Sequence, residues 1–72
     1  MAYYYVNKNA QVDGYHEVHN DNANCPHPPL PENRVKIGNY NSSAEAIAAC
    51  KVANPTLHID GCAYCCPESH TR

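Results

Sequence analysis

The spacing of apolar and polar residues along this chain changes from strand-like to helical and back. Tyr3, Tyr4, Tyr5 and Val6 form a β-rich run, and positions 15–19 alternate aromatic, polar and β-branched residues. With the Asp13-Gly14 turn signal between them, the two runs predict a β-hairpin. Positions 20–33 hold four of the six prolines and four of the nine asparagines, a composition that disfavours both helix and central strand. This is a long loop, and a loop of that length inside a small domain needs an anchor, for which Cys25 is the natural residue. Positions 34–40 read as a third strand, with Val35 and Ile37 on one face and Gly38 marking a bulge or a close approach.

A helix follows. Ser42 with Glu45 three residues later fits a capping box, which starts the helix at Ser43, and Asn54-Pro55 stops it. At 3.6 residues per turn, Ala46, Ile47, Cys50 and Ala53 share a face small enough to sit close on a sheet. Positions 56–59 predict a short last strand, and Asp60-Gly61 turns the chain into a Cys-rich tail. The fold class expected is α+β: an antiparallel sheet of three or four strands with one packed helix, in a single small domain spanning 1–72.

Composition makes that domain hard to stabilise by burial alone. Of 72 residues, Leu, Ile and Val supply only ten, and Phe and Trp are absent. Chains of this size usually add disulfides, a metal or a partner subunit, and five Cys and five His are at hand. The N-terminal residues lack the basic leader and apolar run of a secretory signal, so a cytoplasmic location is expected. Lasting disulfides are uncommon there, and clustered cysteines more often bind metal or do redox chemistry. The formal charge of −2 disfavours a nucleic-acid binder that tracks phosphates. No apolar run approaches the roughly 18 residues of a membrane span.

Cys62-Ala63-Tyr64-Cys65 is a Cys-x-x-Cys pair, a spacing that aims two thiolates at one point. His19 at the end of the hairpin and Cys25 in the following loop have the right chemistry for the other half, and lie on a separate arm of the chain. The candidate metal ligands are therefore His19, Cys25, Cys62 and Cys65, with His16, Cys66 and His70 as alternatives to His19. Three thiolates and an imidazole suit zinc, and four protein ligands close its coordination sphere, which marks a structural site. Cys50 falls on the apolar helix face and reads as a small buried hydrophobe. Cys66 reads as a spare thiol, and His27 and His58 as ordinary polar positions. The other reading of Cys62, Cys65 and Cys66 is a dithiol and disulfide redox centre.

Val6-Asn7-Lys8-Asn9, His19 and Cys25, Asn33-Arg34-Val35, Ser42-Ser43-Ala44-Glu45-Ala46 and Gly61-Cys62-Ala63-Tyr64-Cys65 occur in an order that resembles the small zinc-binding tail following micrococcal-nuclease-type domains. The same layout resembles the metal-binding domain of the Ada DNA-repair protein. The Tyr-rich start, His16-Glu17-Val18-His19 and the Asp60-Gly61-Cys62 ending also look similar to a family of short uncharacterised bacterial proteins. These resemblances imply a hairpin, a helix and a closing Cys-x-x-Cys around zinc, and the first two add nucleic-acid binding as an accessory role. The expected function is a small zinc-binding module with a structural site and a binding role. It is not expected to be an enzyme, because no oriented nucleophile and base, paired carboxylates or Gly-rich phosphate loop occur. A protein partner is one expectation. Another is a homodimer made by edge pairing of the Tyr-rich first strand.

Overall fold

The computed structural model describes every residue except Asn24, His27 and Arg72. Strand β1 (Ala2–Asn7) and strand β2 (Tyr15–Asn20) pair antiparallel with Val6 opposite Val18 and Tyr5 opposite His19. Seven residues join them rather than a two-residue link. Asp13-Gly14 lies in a tight turn within that loop, closed by a bond from the Gly14 amide to the Gln11 carbonyl. The chain then runs through a single 3-10 turn at Pro31–Asn33 into β3 (Arg34–Tyr40), which pairs antiparallel with the other side of β1.

The β1–β3 register shifts between Tyr4 and Tyr5, which face Gly38 and Lys36 and leave Ile37 as the extra residue. A bulge is therefore present beside Gly38, whose φ of +144° is one an L side chain rarely adopts. The bulge breaks the period-2 rule, so Val35 and Ile37 do not bury together. Val35 is half exposed, whereas Ile37 packs against the core.

Helix α1 (Ser43–Ala53) begins where the Ser42 oxygen accepts the Glu45 amide at 3.3 Å and ends at Asn54. Ala46, Ile47 and Cys50 are buried against the sheet, while Ala53, in the last turn, is exposed. Asn54-Pro55 and the next two residues form a turn, with the Leu57 amide on the Asn54 carbonyl. Strand β4 (His58–Gly61) therefore begins two residues later than expected. Asp60-Gly61 is its last pair of residues rather than the turn beyond it.

The sheet order is β3-β1-β2-β4, and β4 runs parallel to β2. The expectation of a purely antiparallel sheet is thus corrected: the sheet is mixed. The reason is the helix. A crossover helix lets the chain return in the same direction, so β3, α1 and β4 form a split β-α-β unit with β1 and β2 between its strands. The core lies between α1 and one sheet face and contains Tyr4, Val6, Val18, Ala46, Ile47, Cys50, Ile59 and Cys66. Strand β1 is interior, paired on both sides, so the edges are β3 and β4. Edge addition through the Tyr-rich strand is excluded by this order. Among the described residues no helix is long and apolar enough to cross a membrane.

Candidate metal centre

Parallel pairing sets the C-terminal ends of β2 and β4 side by side. His19 stands at one, and Cys62 follows the other directly, with its amide bonded to the Val18 carbonyl at 3.0 Å. A tight turn then closes from the Cys66 amide to the Cys62 carbonyl at 2.9 Å and returns Cys65 toward His19. Gly61 permits this approach: a Cβ there would lie 2.9 Å from Ser69 Cβ and 3.0 Å from the Cys66 carbonyl oxygen. The tail is pinned at two further points. Buried Ser43 Oγ donates to Glu68 at 2.5 Å and meets Ser69 Oγ at 2.6 Å. Buried Asp60 accepts from the Thr71 amide and hydroxyl and faces His70 Nδ1 at 3.4 Å.

Into this corner the loop after β2 brings Cys25. One ligand atom from each of His19, Cys25, Cys62 and Cys65 lies within 4.8 Å of the other three. Cys25 Sγ is 3.7 Å from Cys62 Sγ and 3.7 Å from His19 Nδ1, and Cys65 Sγ is 3.4 Å from the same nitrogen. A tetrahedral zinc with Zn–S near 2.3 Å and Zn–N near 2.0 Å has S···S edges of about 3.8 Å and N···S edges of about 3.6 Å. These three distances are close to such edges, and the four atoms together lie within 4.8 Å of one another, so the cluster is compatible with a metal site. The 3.7 Å between the Cys25 and Cys62 sulfurs is far from the roughly 2.05 Å of a disulfide. All five cysteines are free thiols.

The four side chains read as candidates from the sequence therefore meet, and the three alternatives do not join them. His16 is three residues from His19 on the same strand and so faces the other side of the sheet. Its Nδ1 lies 3.0 Å from the Asn7 carbonyl. Cys66 is fully buried in the core under the helix. His70 Nδ1 is 3.0 Å from the Gly61 carbonyl. Cys50 is buried on the helix face, as its spacing predicts. His58 is exposed with its ring tilted against Tyr15, and His27 lies outside the described residues.

No protein-family model, curated protein or solved structure matches this chain. What the site can do is therefore read from its own chemistry. The Cys62 thiol is pushed up to about 12, chiefly by burial, although amides of Cys65 and Tyr64 bond its sulfur and favour the thiolate. Cys65 is pushed up to about 11, first by its bond with the Cys66 thiol and then by burial, with the His19 bond opposing. The same Cys65–Cys66 bond draws Cys66 below its ordinary value. Both raised thiols hold their protons at neutral pH. A cation held by these residues would supply positive charge and favour their thiolate forms.

Three neighbours of the site are not visible as functional residues in the sequence. The Tyr5 ring stacks on His19 with centroids 5.3 Å apart, and the Arg34 guanidinium lies over the Tyr5 ring, 5.0 Å from its centroid. Glu17 Oε1 faces His19 Nε2 at 4.0 Å, on the imidazole nitrogen turned away from the thiols. Metal-bound histidines are commonly oriented by a carboxylate at that position. Period-2 alternation puts Glu17 and His19 on one face, which is the one signal the sequence carried. The Tyr5 contact depends on strand register.

Proposed function

We propose that this chain is a small zinc-binding module whose site is structural and whose role is binding or accessory rather than catalytic. The observation that carries the reading is the convergence of His19 and the sulfurs of Cys25, Cys62 and Cys65 within 4.8 Å of one another, with three of the distances, at 3.4 to 3.7 Å, close to the edges of a zinc tetrahedron. Three thiolates and one imidazole favour zinc over harder, oxygen-seeking cations. Four protein ligands leave no position for a reacting water. The site joins β2, the long loop and the tail after β4, so the ion would tie together segments that the thin core holds weakly. Structural zinc in finger peptides contributes roughly 10–16 kcal/mol near neutral pH. A reducing compartment such as the cytoplasm would keep the three thiolates available.

Native mass spectrometry of protein purified under reducing conditions, without added metal or chelator, tests this. A native mass exceeding the denatured mass by one zinc, lost on EDTA treatment together with the far-ultraviolet circular dichroism of the fold, is the expected result. A native mass equal to the bare chain, with a denatured mass short by two or four hydrogens, would replace the zinc reading with the redox one.

A further inference from the structure

The face of the sheet turned away from α1 carries a second feature, which adjoins the ligand cluster through the stack of Tyr5 on His19. A cavity of about 350 Å³ opens there, lined by Tyr3, Tyr4, Tyr5, Asp21, Arg34 and Lys36. Its cations come from β3 and its rings from β1, two neighbouring strands. Lys36 Nζ lies 5.1 Å from the Tyr3 centroid and Arg34 Cζ 5.0 Å from that of Tyr5. Arg34 Nε donates to the Pro29 carbonyl at 3.0 Å, which fixes the guanidinium plane. Among the described residues neither cation has a carboxylate within ion-pair distance. Two of the five Lys and Arg residues of a chain with net charge −2 are thus gathered at one concave site, where Asp21 is the one carboxylate in the lining.

From this we infer that the cavity binds a phosphate-bearing aromatic group, a single nucleotide unit, with its phosphate on Arg34 and Lys36 and its ring against the half-exposed Tyr3. The phosphate matches the paired cations, since a planar guanidinium and an ammonium are the usual partners of phosphate oxygens. The ring matches the tyrosine floor, because a base stacks on an aromatic side chain without regard to its sequence identity. Asp21, also in the lining, supplies an acceptor for a base amino or sugar hydroxyl group. Size supports one unit, since the cavity lies at the small end of the roughly 300–1,000 Å³ typical of ligand pockets. Two cations are too few to follow a strand. The occupant is either a free nucleotide or the phosphorylated end of a single strand, which share this chemistry. The inference does not rest on the zinc reading, since neither Arg34 nor Lys36 is among the clustered ligands, although Tyr5 links the cavity to His19.

The test is a titration of the full chain, purified as it is expressed, followed by amide chemical shifts at low salt. The probes are adenosine 5′-monophosphate, adenosine, inorganic phosphate and a short 5′-phosphorylated oligothymidylate. Saturable shifts at Tyr3, Tyr5, Arg34 and Lys36 with the monophosphate are expected, with adenosine and phosphate each weaker by about tenfold or more. Lys36→Ala, at an exposed position, should weaken the monophosphate by about tenfold, and Tyr3→Ala by between about fivefold and 100-fold. An oligothymidylate that binds more tightly than the monophosphate assigns the site to strand ends, and one that binds no better assigns it to free nucleotides. The inference is overturned if no saturable shift appears up to about 10 mM. It is equally overturned if Lys36→Ala binds as the parent does, or if phosphate alone matches the monophosphate.

Discussion

Zinc-dependent unfolding offers the most quantitative check on the metal centre. The perturbation is free zinc itself, held by a chelator buffer and raised in steps. If only the folded chain gathers His19, Cys25, Cys62 and Cys65, each tenfold rise beyond the dissociation constant adds about 1.4 kcal/mol to stability. A chain of 72 residues unfolds with an entropy of about 0.15 kcal/mol per kelvin near 60 °C. The melting temperature should therefore climb by about 9 °C per decade of free zinc. At the metal-free end the domain should be marginal. Its core cluster has eight buried side chains, of which Ala46, Cys50 and Cys66 are small, and a single core of this size rarely supplies more than about 3–5 kcal/mol. The assay is a series of thermal melts followed by far-ultraviolet circular dichroism under reductant. A melting temperature that stays flat across several decades of free zinc would refute the reasoning, because one specific site coupled to folding cannot give that result.

Other outcomes follow from particular contacts. Cys62→Ser or Cys65→Ser should abolish the zinc slope and leave a largely unfolded chain, while Cys50→Ala, away from the cluster, should keep the slope and lose about 1 kcal/mol of stability; equal melts for all three would count against the site. Gly61→Ala should destabilise by about 1–3 kcal/mol, as its Cβ would meet Ser69 and the Cys66 carbonyl at or below 3.0 Å, and urea unfolding measures it. The raised thiols of Cys62 and Cys65 give the metal-free chain a contribution present below their ordinary 9.0 and lost as pH rises through about 11 to 12, so alkali should unfold it first. For the loaded chain the sign reverses: those two thiols must each release a proton, and zinc affinity should fall by about 100-fold or more per unit of pH lowered below neutrality. Competition with a chromophoric chelator across pH reads this directly. Ser42→Ala removes the cap on the Glu45 amide and should cost about 1 kcal/mol in the same melts, with the zinc slope unchanged.

Local chemistry determined what this sequence could express by itself. Helix α1 was legible to the residue because Ser42, the Ala-rich run and Asn54-Pro55 act within one or two turns of the backbone. Strands β1 to β3 were legible from alternation and bounding turn residues. The four clustered side chains were legible from residue type and from their placement on two arms of the chain. What only the tertiary structure decided was non-local. Whether β4 runs parallel or antiparallel depends on how a helix crosses a sheet, and neither Thr56 nor Ile59 encodes that direction. Parallel pairing is nevertheless what sets Cys62 beside His19 instead of at the opposite end of the sheet. The choice of His19 over His16 turns on which face of β2 meets the tail, which needs the register with β1 and β4. The bulge at Ile37 undid the expected pairing of Val35 with Ile37. The Arg34–Tyr5–His19 stack joins three strands that no short-range pattern relates. Side-chain chemistry is written residue by residue, whereas the meeting of distant residues is set by the packing of the whole sheet against its one helix.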